Sequence, residues 1–293
     1  MEIAVISGKG GTGKSTLSAA FATLSGQVIM ADCDVDAANL HILFNPIKKE
    51  EHIFVSVQKA VINEALCTSC GICVDCCRFD AIKALDNRVV ISETDCEGCG
   101  LCAKICLFEA IDMVNIDKSR MYAGAFRHGM MVYGRLAPGE ENSGKLVNMV
   151  RAKAKIMAME YQLNTIIIDG PPGIGCAAIS AITGVDHVLI VTEPSVSGLH
   201  DLKRTIEITA HFGLSVYVII NKCDLNKSLS SDIEQYCMER GISVVGKIPF
   251  DKLMVDAMVN CKTVIEWAPN SNLSRIIKEC FYTIKGMIAK DSC

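Results

Sequence analysis

The 293-residue sequence lacks three features that would place it in a specialised class. Its longest apolar stretches have the length of a strand, whereas a membrane-spanning helix needs about 20 apolar residues. It has no long basic block and a net charge of −4, so we do not expect nucleic acid as a partner. No basic segment of a signal peptide precedes the first strand pattern, so we expect a cytoplasmic protein without a membrane span.

Cysteine, in contrast, is abundant: there are 16, and nine of them lie between Cys67 and Cys106. In a chain without a secretion signal, such a cluster indicates metal binding rather than disulfides. The motif C-x₂-C-x₂-C-x₃-C occurs twice, 29 residues apart, and residues 79–82 match residues 108–111. The segment 58–115 is therefore a duplicated unit, and its five basic and nine acidic residues give it a net charge of −4.

Outside the duplicated unit, strand and helix patterns alternate along the chain. Helices are predicted at 15–24 and 145–161. Strands are predicted at 3–7, 28–31, 129–133, 165–169, 188–192, 216–221 and 244–248. This alternation predicts an α/β fold with a mostly parallel sheet flanked by helices. We expect one discontinuous domain, residues 1–57 and 116–293, with residues 58–115 inserted into it.

A phosphate-binding motif follows the first predicted strand. Residues 8–16, here called the phosphate loop, fit G-x-x-x-x-G-K-[ST] between a strand and a helix, the context that this P-loop NTPase motif requires. Backbone N–H groups and the helix N-terminus favour phosphate there. Lys14 is expected to reach the β- and γ-phosphates, and Ser15 to ligate Mg²⁺. The expected nucleotide contacts are Gly8, Gly10, Gly11, Thr12, Gly13, Lys14, Ser15 and Thr16.

A second lysine, Lys9, makes this loop resemble the deviant Walker A loop of the MinD/ParA/Mrp/nitrogenase iron protein class. The resemblance implies an ATPase that forms a nucleotide-dependent homodimer. It implies that Lys9 contacts nucleotide phosphates across the dimer interface and acts in catalysis with Lys14. It also implies that Asp34, with Asp36 as the alternative, orients the attacking water, and that Asp32 assists near Mg²⁺.

Two further segments resemble parts of the same class. Asp169-Gly-Pro-Pro-Gly resembles the Walker B and switch II segment, which implies that Asp169 holds Mg²⁺ through water. Asn221-Lys-Cys-Asp alone indicates guanine recognition, but in the MinD-like class an Asn here contacts adenine. The Pro of a later Ile-Pro-x-Asp segment, here Pro249, lies by the base in that class, so ATP is favoured over GTP. The alternative for the acidic residues is ordinary turn and helix-cap chemistry.

The cysteine repeat resembles the two-cluster bacterial ferredoxins, in which the fourth cysteine of each motif ligates the other [4Fe–4S] cluster. The resemblance implies a ferredoxin-like α+β insert, although Arg78 and Leu107 replace the proline that normally follows each fourth cysteine. Zinc is the competing interpretation, because four-cysteine zinc sites also use C-x₂-C pairs. The implied ligands are Cys67, Cys70, Cys73 and Cys106 for the first cluster, and Cys96, Cys99, Cys102 and Cys77 for the second.

Two other cysteines need an interpretation. Cys76 adjoins Cys77, and the x₃ spacing of the motif assigns ligation to Cys77, so we expect Cys76 to be a buried spare thiol. Cys176 lies seven residues after Asp169, as a cluster cysteine of nitrogenase iron protein does. For Cys176 we prefer a buried structural role.

The sequence as a whole resembles MinD-superfamily P-loop ATPases that carry an inserted ferredoxin domain. It predicts an ATPase whose nucleotide state gates electron transfer through two [4Fe–4S] clusters to a redox partner protein. One alternative is a carrier that assembles iron–sulfur or other metallocofactors on a client protein. The second is a MinD/ParA-like positioning ATPase with a redox-sensing module. Complete four-cysteine ligation favours electron transfer over donation of a cluster.

Overall fold

The computed structural model describes residues 1–55, 58–138, 140 and 143–291. The chain divides into two compact units. The first unit comprises Met1–Glu51, Tyr122–Gly134 and the described residues from Ser143 onward, and the second comprises His52–Met121 with the described residues of 135–142. The predicted insert, residues 58–115, falls within the second unit.

Strands and helices are numbered in chain order. The strands are β1 (Glu2–Ser7), β2 (Val28–Asp32), β3 (Ile47–Phe54), β4 (Gln58–Ile62), β5 (Ile82–Leu85), β6 (Arg88–Ile91), β7 (Ile111–Asn115), β8 (Ser119–Phe126), β9 (Gly129–Arg135), β10 (Ile166–Pro172), β11 (His187–Thr192), β12 (Ser215–Asn221) and β13 (Ser243–Ile248). The helices are α1 (Lys14–Ser25), α2 (Leu40–Phe44), α3 (Ile72–Asp75), α4 (Leu101–Ile105), α5 (Ser143–Glu160), α6 (Cys176–Ile182), α7 (Val196–His211), α8 (Lys227–Met238), α9 (Leu253–Val259), α10 (Val264–Trp267) and α11 (Asn272–Asp291).

The largest sheet has the strand order β13-β12-β11-β1-β10-β2-β9-β8-β3. Every pairing from β13 to β9 is parallel. The turn between β8 and β9 holds only Arg127 and His128, and a connection that short joins antiparallel strands. The predicted mostly parallel α/β sheet is therefore confirmed, and the structure adds β3 and β8 at one edge.

The centre of this sheet is covered on both faces. Every residue of β1, β2 and β11 is buried, as expected for parallel strands between helical layers. The final helix, α11, buries Ile277, Phe281 and Ile284 against the same core, and each such side chain contributes roughly 1.5–3 kcal/mol. Along the described residues, no helix is both long and apolar enough to cross a membrane.

The second unit shows the sequence repeat as a structural repeat. β4 pairs with β7 and β5 pairs with β6, both antiparallel. The pair Ile62–Ile111 becomes the pair Ile91–Ile82 when 29 is added to one number and subtracted from the other. The N–H of residue 63 donates to the carbonyl of residue 110, and likewise 92 to 81, at 2.8 and 2.7 Å. Two equivalent half-units therefore build this part of the chain.

Candidate nucleotide site and cysteine pockets

The phosphate loop connects the buried strand β1 to helix α1. Gly13 immediately precedes the helix with φ +89°, and a Cβ at this position would clash with the side-chain amide of Asn221. Asn221, at the end of β12, donates from Nδ2 to the carbonyl of Thr12 at 2.7 Å. The end of a neighbouring strand therefore braces the loop in the shape that exposes its N–H groups.

Lys14 lies in a buried cluster of charged groups. Its Nζ is 3.0 Å from Oδ2 of Asp169 and 3.7 Å from Oδ2 of Asp34. Burial alone would lower the pKa of Lys14, but Asp169 and Asp34 raise it above its ordinary value, so the ammonium stays charged. The Ser15 hydroxyl donates to Oδ2 of Asp169 at 2.6 Å. The structure thus brings together Lys14, Ser15, Asp34 and Asp169.

Two residues support these groups. Ser18, one helical turn after Lys14, donates to Oδ1 of Asp169 at 2.7 Å, so both oxygens of Asp169 are engaged. Asp32 is opposite Asp169 in the β2–β10 register and accepts the N–H groups of Asp34 and Leu40. Burial, reinforced by the Asp169 carboxylate, raises the pKa of Asp32 to about 8. Ser18 was not assigned from the sequence, although its i+4 spacing from Lys14 places it on the same helix face.

A cavity of about 670 Å³ lies at the carboxyl edge of the sheet, in front of the phosphate loop. Its volume lies within the range that encloses a nucleotide-sized ligand. Within the described chain the lining comprises Gly10 to Thr16, Asp34 and Asp36, and residues from the segments after β2 and β10. Thr12 is buried, and its hydroxyl has no hydrogen-bond partner among the described residues. A polar group of this kind at a phosphate loop fits an oxygen-rich ligand.

Lys9 lies apart from that lining. Its Nζ is 2.7 Å from Oε1 of Glu193 and donates to the hydroxyls of Ser195 and Ser197 at 3.1 and 3.0 Å. Oε2 of Glu193 is 2.9 Å from Nζ of Lys222, which also donates to the carbonyl of Gly11. Burial alone would raise the pKa of Glu193, but the two lysines hold it below its ordinary value. We call Glu193, Lys9 and Lys222 the lysine bridge; no role for Glu193 was predicted from the sequence.

The two predicted base contacts also lie outside the lining of the cavity, as far as the structure describes it. Asn221 is buried against the phosphate loop through Thr12. Pro249 follows β13, whose last carbonyl, at Ile248, accepts the N–H of Cys223. Oδ1 of Asp224, the acidic residue of the guanine-type motif, accepts the N–H of Phe250 at 2.7 Å. Asp224 therefore fastens the loop that carries Pro249.

The second unit contains two pockets, each lined by four motif cysteines. Cys67, Cys70, Cys73 and Cys106 line the first cysteine pocket, with Thr68 and Val89. Cys77, Cys96, Cys99 and Cys102 line the second cysteine pocket, with Ala60 and Glu97. Each pocket thus takes three cysteines from one motif and the fourth cysteine from the other. Helices α3 and α4, between the cysteines, each follow a glycine with positive φ, Gly71 or Gly100.

In the part of the chain that the structure describes, no group of three or more His, Cys, Asp or Glu side chains could hold a metal ion. A four-iron cube binds each cysteine at a different iron, so its thiols surround a volume instead of converging on one point. Burial is the main cause that raises the pKa of Cys73 and of Cys102, with the neighbouring motif thiols as further causes. The cysteines are thus grouped around two pockets.

Two cysteines differ from their predicted environment. Cys76 is exposed, so its prediction as a buried thiol is wrong: α3 ends at the preceding residue, and the chain turns with this side chain outward. Cys176 is also exposed, and it is the first residue of α6 in the lining of the nucleotide cavity. The prediction of a buried structural role for Cys176 is therefore wrong as well.

The sheet, the phosphate loop and the acidic residues at the strand ends define a P-loop nucleotide-binding protein. The family model described as the CobQ/CobB/MinD/ParA nucleotide binding domain matches residues 3–264, so the chain belongs to that family. The uncharacterized protein MJ0578 of Methanocaldococcus jannaschii is 35% identical over 98% of both chains.

Relatives with named roles are more distant. The septum site-determining protein MinD of Thermotoga maritima is 26% identical, over 94% of this chain and 83% of that protein. The structure of MinD complexed with Mg-ADP from Pyrococcus horikoshii matches 97% of this chain and 95% of that chain, with a TM-score of 0.57 and 17% identity. This structural likeness supports the fold.

Proposed function

We propose that the chain is an ATPase whose nucleotide state gates electron transfer through two [4Fe–4S] clusters to a redox partner protein. The observation that carries the proposal is the pairing of the nucleotide cavity with two pockets lined by crossed sets of four cysteines. In this division of labour, residues 1–57 and 116–293 bind nucleotide, and residues 58–115 hold the clusters.

The nucleotide half of the proposal rests on the charged cluster around Lys14. Lys14 holds the β- and γ-phosphates, and the glycines and hydroxyl residues of the phosphate loop surround them. Ser15 and Asp169, already 2.6 Å apart, hold Mg²⁺, the asparagine at 221 and the proline at 249 lie on the base side, and ATP is the substrate. Asp34, 3.7 Å from Lys14, orients the attacking water, because its carboxylate is at the cavity and only partly buried.

The residue Lys9 has its role in a nucleotide-dependent homodimer. In the single chain it is bound to Glu193 and two serines, at the side of the phosphate loop. We propose that ATP-driven pairing of two chains releases Lys9 from the lysine bridge and brings it to the partner's phosphates. Hydrolysis reverses this exchange, which supplies two distinct states for gating.

The cysteine pockets carry the redox half of the proposal. The residues fit two [4Fe–4S] clusters, because each pocket offers four thiols and follows the crossed pattern of two-cluster ferredoxins. When bound, the clusters supply one-electron transfer. The backbone N–H of Ala110 already donates to Sγ of Cys106 at 3.3 Å, a bond that stabilises a thiolate ligand.

Anaerobic purification followed by iron and sulfide analysis tests the cluster assignment. We expect about eight iron and eight sulfide per chain, from two cubes of four iron each. The matched pair Cys77→Ser and Cys76→Ser tests the crossed ligation: the first change should remove about half of the iron and the second almost none. One or two zinc per chain, without iron after reconstitution, would contradict the proposal.

A positioning ATPase with a redox-sensing module is the second candidate. It is favoured by the relatives that are named septum site-determining proteins. The two candidates differ in their redox behaviour: a gate alters the rate of electron transfer, whereas a sensor alters ATP hydrolysis when its clusters are reduced. ATPase rates of the oxidised and the dithionite-reduced protein separate them.

A further inference from the structure

One lysine of the second unit is almost completely buried. Lys59, on β4, is 4% exposed, and its Nζ donates to the carbonyl of Cys96 at 2.6 Å. Lysine is seldom buried, because its ammonium loses hydration that few protein groups replace. Cys96 is one of the four cysteines of the second cysteine pocket, and Ala60, next to Lys59, also lines that pocket. A positive charge therefore lies beside this pocket in a medium of low polarity.

The internal repeat provides a comparison within the same molecule. The residue equivalent to Lys59, 29 positions later, is Arg88 on β6, which is exposed. Lys59 pairs with Val114 across the β4–β7 ladder, and Arg88 pairs with Leu85 across the equivalent β5–β6 ladder. Arg88 adjoins Val89 of the first cysteine pocket just as Lys59 adjoins Ala60 of the second. The two half-units thus match in register but differ in where they place the cation.

The nearest acidic difference between the pockets does not cancel this asymmetry. Glu97 lines the second cysteine pocket, and its equivalent in the first is Thr68. Glu97 is exposed, so water and salt screen its charge. The ammonium of Lys59 is buried, so its charge acts over the same distances with less screening.

We propose that Lys59 orders the two reduction potentials, so that the cluster held by Cys77, Cys96, Cys99 and Cys102 is the more easily reduced. The inference rests on the proposed function, because it requires two clusters. A reduced cluster carries one more negative charge than an oxidised one, and a nearby buried cation stabilises that charge. The first electron added to the protein therefore resides at the second cysteine pocket, and the first cysteine pocket is the earlier donor in the chain of transfer.

A dithionite titration with redox mediators, followed by electron paramagnetic resonance, tests the inference on the complete chain loaded with iron. In the unchanged protein we expect two separate midpoint potentials. Lys59→Met should lower the higher one and leave the other in place, Lys59→Arg should preserve both, and Arg88→Met should move neither. Iron content near eight per chain, measured on every variant, shows that both clusters are present.

The Cys77→Ser variant gives a second measurement that does not depend on altering Lys59. It should lose the wave of higher potential and retain the lower one. Loss of the lower wave instead, or equal potentials in the unchanged protein, would overturn the inference while the two clusters remain. Protein that contains no iron would overturn the proposed function itself, so the two failures are distinct.

Discussion

Lys14 and Asp34 lie in one charged cluster but have separable roles. Lys14→Ala removes the main cation for the β- and γ-phosphates, so we expect ATP binding to fall below detection, a loss of at least about 100-fold. Asp34→Ala should keep ATP affinity within a few fold and stall hydrolysis, because only the water loses its orienting group. Binding of a fluorescent ATP analogue and phosphate release measure the two effects. Equal loss of affinity in both variants would make Asp34 a binding or folding residue.

Glu193 fixes Lys9 in the single chain, which leads to a prediction for dimer formation. Glu193→Gln weakens an ion pair that is partly exposed and worth about 1 kcal/mol, so less free energy is needed to release Lys9. We expect the dimer dissociation constant with a non-hydrolysable ATP analogue to fall about fivefold. Sedimentation velocity measures this change. Glu234→Gln, which breaks the exposed pair with Lys247, is the control and should have no effect.

The sequence predicted individual residues well where a motif and its context agree. Lys14, Ser15 and Asp169 were expected at one phosphate site, and they lie within hydrogen-bond or ion-pair distance of each other. Burial of single cysteines was not predictable from composition, because Cys76 and Cys176 stand at helix ends, where a rotation of one residue turns a side chain outward. Glu193 was missed because no local motif marks a contact across 184 positions.

Among the elements, α10 is tied to the β8–β9 turn by Glu266. Its carboxylate is 2.5 Å from Nε of Arg127 and 2.9 Å from Nε2 of His128. Burial alone would raise the pKa of Glu266, but Arg127, the Thr263 amide and His128 lower it to about 2, against an ordinary value of 4.5. A lowered pKa stabilises the fold above pH 4.5, and that contribution is lost as the pH falls toward 2.

We therefore expect Glu266→Gln to lower the free energy of unfolding at pH 7 by roughly 1–2 kcal/mol, after allowance for partial exposure. The difference from the unchanged protein should shrink steadily between pH 4.5 and pH 2. Urea unfolding at several pH values measures both effects. Glu279→Gln, in an exposed pair with Arg275, is the control, and a pH dependence equal to that of Glu266→Gln would contradict the assignment.

Strands were predictable where they are buried and apolar. The patterns near 3–7, 165–169 and 188–192 correspond to β1, β10 and β11, with differences of at most a few residues at the ends. β3 was not predicted because its sequence, IKKEEHIF, is largely charged, and all but its last residue are outside the buried class. An edge strand of this kind is recognised from its pairing in the sheet, which sequence periodicity does not contain.

For the whole molecule, chain order relates the insert to the nucleotide site. Asp34 precedes the second unit, with α2 and β3 between them, and Asp169 follows it after β8, β9 and α5. The position of the insert between the two acidic segments was predicted from the sequence, but the extra strands were not. A change at either segment when the γ-phosphate is lost must therefore pass through these elements to reach the insert.

The central claim is that nucleotide state controls the redox behaviour of the clusters, and stopped-flow oxidation tests it most directly. Dithionite-reduced, iron-loaded protein is mixed with an oxidised viologen dye after incubation with a non-hydrolysable ATP analogue, with ADP, or without nucleotide. We expect the oxidation rate with the ATP analogue to differ severalfold from the rate with ADP, and Lys14→Ala to remove the difference. Identical rates in all three states, in protein that binds nucleotide and carries about eight iron, would contradict gating.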